Sequence, residues 1–142
     1  MEFDPAWKFI DNSKIVKEQF DELPSFHGAY VEKMAFHSGN CNDGGITQPS
    51  LMVVLDLPVR ERNGTSYELL YYIHLEFELL GVHKASLKDF TYDNCLCFFH
   101  ISQIDDSGLL TVKMDSSTNG ESFECEVKCT SVIVLNCKKK DR

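Results

Sequence analysis

The first side chains that could act together lie in a segment of regularly alternating polarity. From Tyr67 to Leu79 every odd-numbered residue is apolar, whereas His74, Glu76 and Glu78 hold even-numbered positions. Successive side chains of a β-strand point to opposite faces. The segment is therefore predicted to be a long strand with one buried face and one acidic face in water. Carboxylates grouped with a histidine on such a face would attract a cationic partner.

A second segment, near the end of the chain, repeats this pattern. From Phe123 to Leu135 the odd-numbered positions are mostly apolar, and the even-numbered positions include Glu124, Glu126 and Lys128. If both strands present their even-numbered side chains on the same side of the molecule, the carboxylates form one acidic surface. The side chains predicted to contact a partner are then His74, Glu76, Glu78, Glu124 and Glu126.

The six cysteines suggest metal binding as an alternative chemistry. Cys95 and Cys97 are two residues apart and Cys125 and Cys129 are four apart, so on strands each pair points to a single face. Four thiolates, with His100 nearby in sequence, could hold zinc. No pair has C-x-x-C spacing, however, and buried cysteine more often acts as a small hydrophobic residue. We expect free thiols and no metal or other cofactor, with a small-ligand or metal-binding β domain as the alternative function.

Motifs for catalysis or nucleotide binding are missing from the sequence. It contains no G-x-x-x-x-G-K or G-x-G-x-x-G loop, no G-x-S-x-G turn and no H-E-x-x-H pair. The five histidines stand apart from any recognisable nucleophile or carboxylate dyad. Because catalysis needs a convergent set of groups, the sequence predicts a binding protein and not an enzyme.

Composition and charge restrict the class of partner. The chain has 142 residues, of which 43% are hydrophobic and 25% are charged, with a formal net charge of −8. Such a composition is typical of one globular domain. An acidic domain repels nucleic-acid phosphates and anionic membranes and attracts basic proteins. The sequence shows no secretory segment and no apolar run near the roughly 20 residues of a membrane span, which predicts a cytoplasmic location.

Helical features are confined to the N-terminal part of the chain. Asp4 is a favourable N-cap and Pro5 is a favourable first residue of a helix. Ser13 is expected to cap a second helix, Lys14–Phe20. Pro24 favours an extended conformation at the residue before it and so ends the helical region.

Beyond Pro24 the hydrophobic pattern has a period of two, with turn residues between the apolar segments. Leu51 to Leu57 is predicted to be a strand that Pro58 ends. About seven strands at hairpin-like spacing indicate a mostly β fold, either an antiparallel sandwich or a strongly curled sheet with short N-terminal helices. We predict a single domain over residues 1–142, with a helical segment at 1–24, an antiparallel β region at 29–137 and a frayed, charged tail at 138–142.

The junction between the helices and the first strand carries a family resemblance. Its residues are Trp7, Asn12, Ser13, Phe20, Pro24, Ser25, Phe26, His27, Ala29 and Val31. In type and order they resemble the opening of the immunity protein 50 family of bacterial polymorphic-toxin systems. Residues 71–82, which end in Gly-Val, resemble a later strand of the same family.

This resemblance implies an all-β immunity protein that binds and neutralises a toxin encoded beside it. It implies no reaction and no cofactor, and the acidic faces favour a basic toxin such as a nuclease. The sequence departs from the family pattern at Gly28, where Asp is expected, and at Tyr30, where an acidic or polar residue is expected.

Ser25, Phe26 and His27 also have a purely structural interpretation. Phe26 can anchor the corner in the core, His27 can hydrogen-bond a backbone carbonyl, and Ser25 can turn the chain. We favour this interpretation, because a short corner needs rigid local chemistry and a contiguous motif can mark a fold without marking a binding site.

Overall fold

Two β-sheets account for most of the fold, as predicted. The computed structural model describes residues 4–42, 45–91, 94–103, 107–116 and 123–141. In chain order the elements are a 3-10 helix at Pro5–Phe9, β1 at Ile10–Asp11, α1 at Lys14–Phe20, β2 at Tyr30–His37, β3 at Asn40–Asn42, β4 at Gly45–Thr47, β5 at Ser50–Asn63, β6 at Ser66–Leu80, β7 at Lys84–Lys88, β8 at Phe98–Gln103, β9 at Leu110–Asp115, β10 at Glu124–Cys129 and β11 at Ser131–Lys140.

The larger sheet has the strand order β1-β11-β6-β5-β2, and the smaller has the order β7-β10-β9-β8. β3 and β4 form a separate hairpin. β1 runs parallel to β11, and the other pairings in the described ranges are antiparallel. An isolated bridge between Tyr30 and Cys95 connects the β2 edge to the segment before β8. Of the two predicted alternatives, the sandwich is therefore the one observed, and its two sheets are linked at one edge.

The core lies between the two sheets, which share a single cluster of buried apolar residues. Leu75 and Phe77 of β6 contribute from the five-stranded sheet, and Val112 and Val127 contribute from the four-stranded sheet, all fully buried. Phe77 meets Phe99 of β8 edge to face, with 6.0 Å between ring centroids. The inward faces of both sheets are thus committed to packing, which leaves their outer faces for recognition.

The N-terminal helices close one end of the sandwich much as the sequence predicts. Asp4 caps the 3-10 helix, since its Oδ1 accepts a hydrogen bond from Ala6 N at 3.0 Å. Ser13 occupies the N-cap position of α1 as predicted, but it has helical backbone angles and makes no side-chain capping bond. Asn12 fixes the helix entry instead, with a φ of 63° and an Nδ2 that donates to Val134 O at 3.1 Å.

The segment predicted as one last strand is two strands in different sheets. β10 belongs to the four-stranded sheet and β11 to the five-stranded sheet, and only Thr130 separates them. Thr130 N and Thr130 Oγ1 both donate to Leu80 O, each at 2.9 Å. The inward positions change from Val127 and Cys129 to Val132 and Val134 across this residue. The alternating sequence pattern does not reveal the change of sheet, because Thr130 moves the inward-facing side chains from odd-numbered to even-numbered positions.

Two predicted strand limits are also wrong. β5 does not end at Pro58 but continues to Asn63. The pairing of β2 with β5 stops at Tyr30 and Asp56, so Pro58 lies where one side of β5 has no neighbour in the sheet, and proline is tolerated there. The charged tail is not frayed over residues 138–140, because these lysines pair with β6 as the end of β11.

Candidate functional site

The five side chains predicted to contact a partner do not share one surface. His74, Glu76 and Glu78 lie on β6 in the five-stranded sheet, whereas Glu124 and Glu126 lie on β10 in the four-stranded sheet. The core lies between these sheets, so the outward faces of the two strands point to opposite sides of the sandwich. The single acidic surface expected from the sequence is therefore wrong.

The outer face of the four-stranded sheet has mixed charge. Glu124 lies between Lys88 of β7 and Asp115 of β9 in the strand register. Glu126 lies between Ser86 and Lys113 in the same two strands. Lysines from the neighbouring strands thus offset the two glutamates of β10.

The outer face of the five-stranded sheet gathers a compact group of ionisable side chains around His74. His74 Nδ1 lies 3.0 Å from Asp56 Oδ1 and 3.5 Å from Glu32 Oε2. On the other side of the ring, His74 Nε2 lies 3.6 Å from Glu76 Oε1. Lys140 Nζ lies 2.9 Å from Asp56 Oδ2 and 3.9 Å from Glu32 Oε2. We refer to Glu32, Asp56, His74, Glu76 and Lys140 as the His74 cluster.

Strand register brings these residues together from four strands. Asp56 of β5 pairs directly with His74 of β6 in a hairpin closed by the two-residue turn Gly64-Thr65, where Gly64 has a φ of 66°. Glu32 lies at an irregularity of β2 between Val31 and Lys33, where the pairing with β5 shifts by one residue. Such a bulge redirects a side chain relative to a regular strand.

The last strand supplies the cation of the cluster. β11 has its own irregularity between Val134 and Asn136, after which Lys138 pairs with His74 and Lys140 with Tyr72. Tyr72 is two residues before His74 on β6, and the long side chain of Lys140 extends from there to the Asp56 carboxylate. The members of the cluster thus come from positions as distant in sequence as Glu32 and Lys140, and two strand irregularities help to place them.

Asp56 is the most buried member of the cluster, with 8% of its surface exposed. Burial acts to raise its pKa, but hydrogen bonds and attraction from Lys140 and His74 outweigh burial, so the pKa of Asp56 is lowered overall. The hydrogen bond and charge of Asp56 raise the pKa of Lys140, with a smaller contribution from Glu32. Three carboxylates and one ammonium give the cluster a net charge of −2 while His74 is neutral.

Catalytic triads also contain a histidine that is hydrogen-bonded to a carboxylate. In a triad, the other ring nitrogen of that histidine faces a nucleophile. His74 Nε2 faces the carboxylate of Glu76, which is neither a hydroxyl nor a thiol. Carboxylates thus face the imidazole ring on both sides, an arrangement that attracts a cationic partner.

Next to the cluster, the same sheet face contains a shallow groove of about 760 Å³. Its lining includes Ala35 of β2, Met52 of β5, and Glu78 and Leu80 of β6. Phe36, which is 52% exposed, lies at its margin. An apolar groove therefore adjoins the acidic centre of this face.

The cysteine-based metal site considered from the sequence is wrong. Cys95 and Cys97 are exposed, whereas Cys125 and Cys129 are buried. Burial raises the pKa of Cys125 to about 12 and that of Cys129 to about 11, which keeps both thiols protonated. Within the described ranges, the one group of three ligand-type side chains close enough to share a metal is Glu32, Asp56 and His74.

The contacts of Ser25, Phe26 and His27 fit their structural interpretation. Phe26 is fully buried and stacks on Trp7 and Phe99, with centroid distances of 4.9 and 4.0 Å. Ser25 Oγ accepts a hydrogen bond from His27 N at 3.1 Å. His27 Nδ1 lies 3.3 Å from the carbonyl oxygen of Cys97. The three residues thus hold the corner against the first helix and the start of β8.

Gly28 differs from the expected Asp for a local backbone reason. Its φ is 82°, a conformation that glycine adopts readily and other residues rarely adopt. Gly28 N donates to Leu96 O at 2.7 Å, which connects the corner to the segment before β8. This departure from the family pattern therefore lies at a point where the chain needs glycine.

Sequence reasoning found His74 and Glu76 but missed Glu32, Asp56 and Lys140. Asp56 did leave a signal, because it is the one charged residue in the apolar stretch from Leu51 to Leu57. A carboxylate in such a stretch is usually paired. Glu32 and Lys140 leave no comparable signal, since their positions depend on strand irregularities.

Comparisons with protein-family models, with curated proteins and with solved structures return no match for this chain. The resemblance to the immunity protein 50 family therefore stays a prediction. Among the helices of the described residues, none is both long enough and apolar enough to cross a membrane.

Proposed function

We propose that the chain is a cytoplasmic immunity protein that binds and neutralises a basic toxin on the outer face of its five-stranded sheet. The observation that supports this most is the His74 cluster, in which three carboxylates and one ammonium gather around a histidine on this sheet face. A basic partner surface complements this charge and would be steered towards it.

The neighbouring groove supports a protein as the partner of this face. Apolar side chains such as Met52 and Leu80 line the groove beside Glu78. Interfaces of this kind obtain much of their binding energy from a few apolar or aromatic anchors, with charges at the rim setting orientation. The combination suits a toxin surface that presents lysine or arginine beside a hydrophobic side chain.

The fold supports binding over catalysis for the same face. The strands present a broad surface, and His74, whose partner Asp56 is nearly buried, faces a second carboxylate on its other side. Neutralisation by contact needs complementarity and fast association, and it needs no reacting group.

Co-expression with the product of the adjacent gene tests this proposal. The chain is expected to restore growth of cells that produce the toxin and to form a stable complex with it in size-exclusion chromatography. A folded chain that neither protects the cells nor forms a complex with the purified neighbouring protein would contradict the proposal. Circular dichroism of the purified chain provides the control for folding.

A further inference from the structure

We infer that Glu32, Asp56 and His74 form a binding site for a divalent first-row transition-metal ion. The ligands would be His74 Nδ1 and one carboxylate oxygen each from Glu32 and Asp56. The site uses the same cluster as the proposed function, but its test needs only the isolated chain, so that the two proposals can fail separately.

The spacing of the three donor atoms fits a shared ion. All three lie within 4.8 Å of one another, and His74 Nδ1 is 3.0 Å from Asp56 Oδ1 and 3.5 Å from Glu32 Oε2. With metal–ligand bonds of about 2.0–2.2 Å, neighbouring ligand atoms around one ion lie roughly 3–3.5 Å apart. The donors therefore need only small shifts to coordinate the same ion.

The second nitrogen of the imidazole has the environment that a metal-bound histidine requires. His74 Nε2 faces Glu76 Oε1 at 3.6 Å. Histidine ligands commonly direct their other N–H to a carboxylate, which fixes the tautomer and the ring orientation. A bound ion would replace the hydrogen bond from Nδ1 to Asp56, and the imidazole proton would then lie on Nε2, directed at Glu76. This contact is separate from the spacing of the donors and points to the same use of the ring.

The donor types select the class of ion. One imidazole nitrogen with two carboxylates suits zinc, cobalt, manganese or iron in the divalent state. Magnesium and calcium prefer sites made of oxygen atoms alone. We therefore expect transition-metal ions to bind in preference to magnesium.

Lys140 is the competitor for this site. Its ammonium group lies 2.9 Å from Asp56 Oδ2 and partly neutralises the carboxylates. The Lys140 side chain is 47% exposed and long enough to turn towards water. A divalent ion would replace this single charge, so removing Lys140 should strengthen metal binding.

Isothermal titration of the chain with Co²⁺ tests the site, with Mg²⁺ as the comparison ion. Among the cysteines that the structure describes, Cys95 and Cys97 are the exposed ones, so the background carries Cys95→Ser and Cys97→Ser. Visible absorption distinguishes nitrogen and oxygen ligands from thiolate. We expect one Co²⁺ per chain. Glu32→Gln and His74→Gln should each weaken binding about tenfold or more. Glu76→Gln should weaken it by about tenfold, because it removes the carboxylate that faces His74 Nε2 and orients the ring.

Two further variants make the test specific. Lys140→Gln should bind Co²⁺ more tightly than the parent chain, whereas Glu126→Gln on the opposite sheet should bind it equally well. Glu32 is 44% exposed, so Glu32→Gln is expected to fold even if His74→Gln does not. No binding to either the parent or Lys140→Gln, or binding that Glu32→Gln leaves unchanged, would overturn the inference.

Discussion

The outer faces of the two sheets carry similar alternating patterns but differ in what the neighbouring strands contribute. On β10, Glu124 and Glu126 have Lys88 and Lys113 beside them in the register. On β6, His74 and Glu76 are joined by carboxylates from β5 and β2 and by one lysine from β11. One face therefore mixes acidic and basic side chains, and the other holds a partly buried anionic centre.

This difference shows that strand alternation predicts which side chains face water but not the surface they form. The character of a face depends on register across strands that are distant in sequence. Asp56 and Lys140 meet although they are 84 residues apart. The predictions below test how far the two faces differ.

The largest expected effect on stability comes from Asp56→Ala. Asp56 is nearly buried and accepts hydrogen bonds from Lys140 and His74, so its removal leaves both partners without their acceptor. We expect the free energy of unfolding to fall by about 1–3 kcal/mol, as measured by urea denaturation. Glu126→Ala on the opposite face is the matched control and should change it little. Equal losses in the two variants would show that the faces are energetically alike.

A second effect is a dependence of stability on pH that comes from Asp56 and Lys140 of the His74 cluster. The pKa of Asp56 is below its ordinary value of 3.8, so its contribution is complete above that pH and is lost as pH falls through the lowered value. The pKa of Lys140 is above its ordinary value of 10.5, so its contribution is complete below that pH and is lost as pH rises further.

Unfolding measured from about pH 5 to about pH 2 therefore separates Asp56→Asn from the parent. The difference in unfolding free energy between the two should shrink steadily with acidification. Glu124→Gln should follow the parent throughout this range. A difference between Asp56→Asn and the parent that stays constant with pH would contradict the assigned ion pair.

The smallest expected effect on stability comes from Thr111 in the four-stranded sheet. Thr111 of β9 is 3% exposed, and within the described ranges its Oγ1 has no hydrogen-bond partner. Thr111→Val replaces this hydroxyl with a methyl group of similar size, which should raise the free energy of unfolding by about 1 kcal/mol. Thermal or urea denaturation measures the change. A clear loss of stability in Thr111→Val would show that the hydroxyl is satisfied.

Local patterns predicted the elements that are regular over many residues. The prediction for β6, Tyr67 to Leu79, differs from the observed Ser66–Leu80 by one residue at each end, because the alternation is long and one face is buried. The helix Lys14–Phe20 has the predicted limits. In both cases the signal lies within the element itself.

The features that local patterns missed depend on pairing with distant strands. Thr130 changes the parity between β10 and β11, and the three lysines at the end of β11 are ordered only because β6 extends alongside them. The His74 cluster needs the irregularity at Glu32 as well as the register between Asp56 and His74. No stretch of sequence encodes this convergence by itself.

The association rate with the toxin from the adjacent gene tests the central claim most directly. Stopped-flow mixing at several salt concentrations would compare Glu76→Lys/Glu78→Lys on β6 with Glu124→Lys/Glu126→Lys on β10. The first pair is expected to slow association roughly tenfold or more and to weaken its salt dependence, whereas the second should leave the rate within about twofold of the parent. Equal slowing by both pairs, or slowing by the β10 pair alone, would contradict recognition through the five-stranded face.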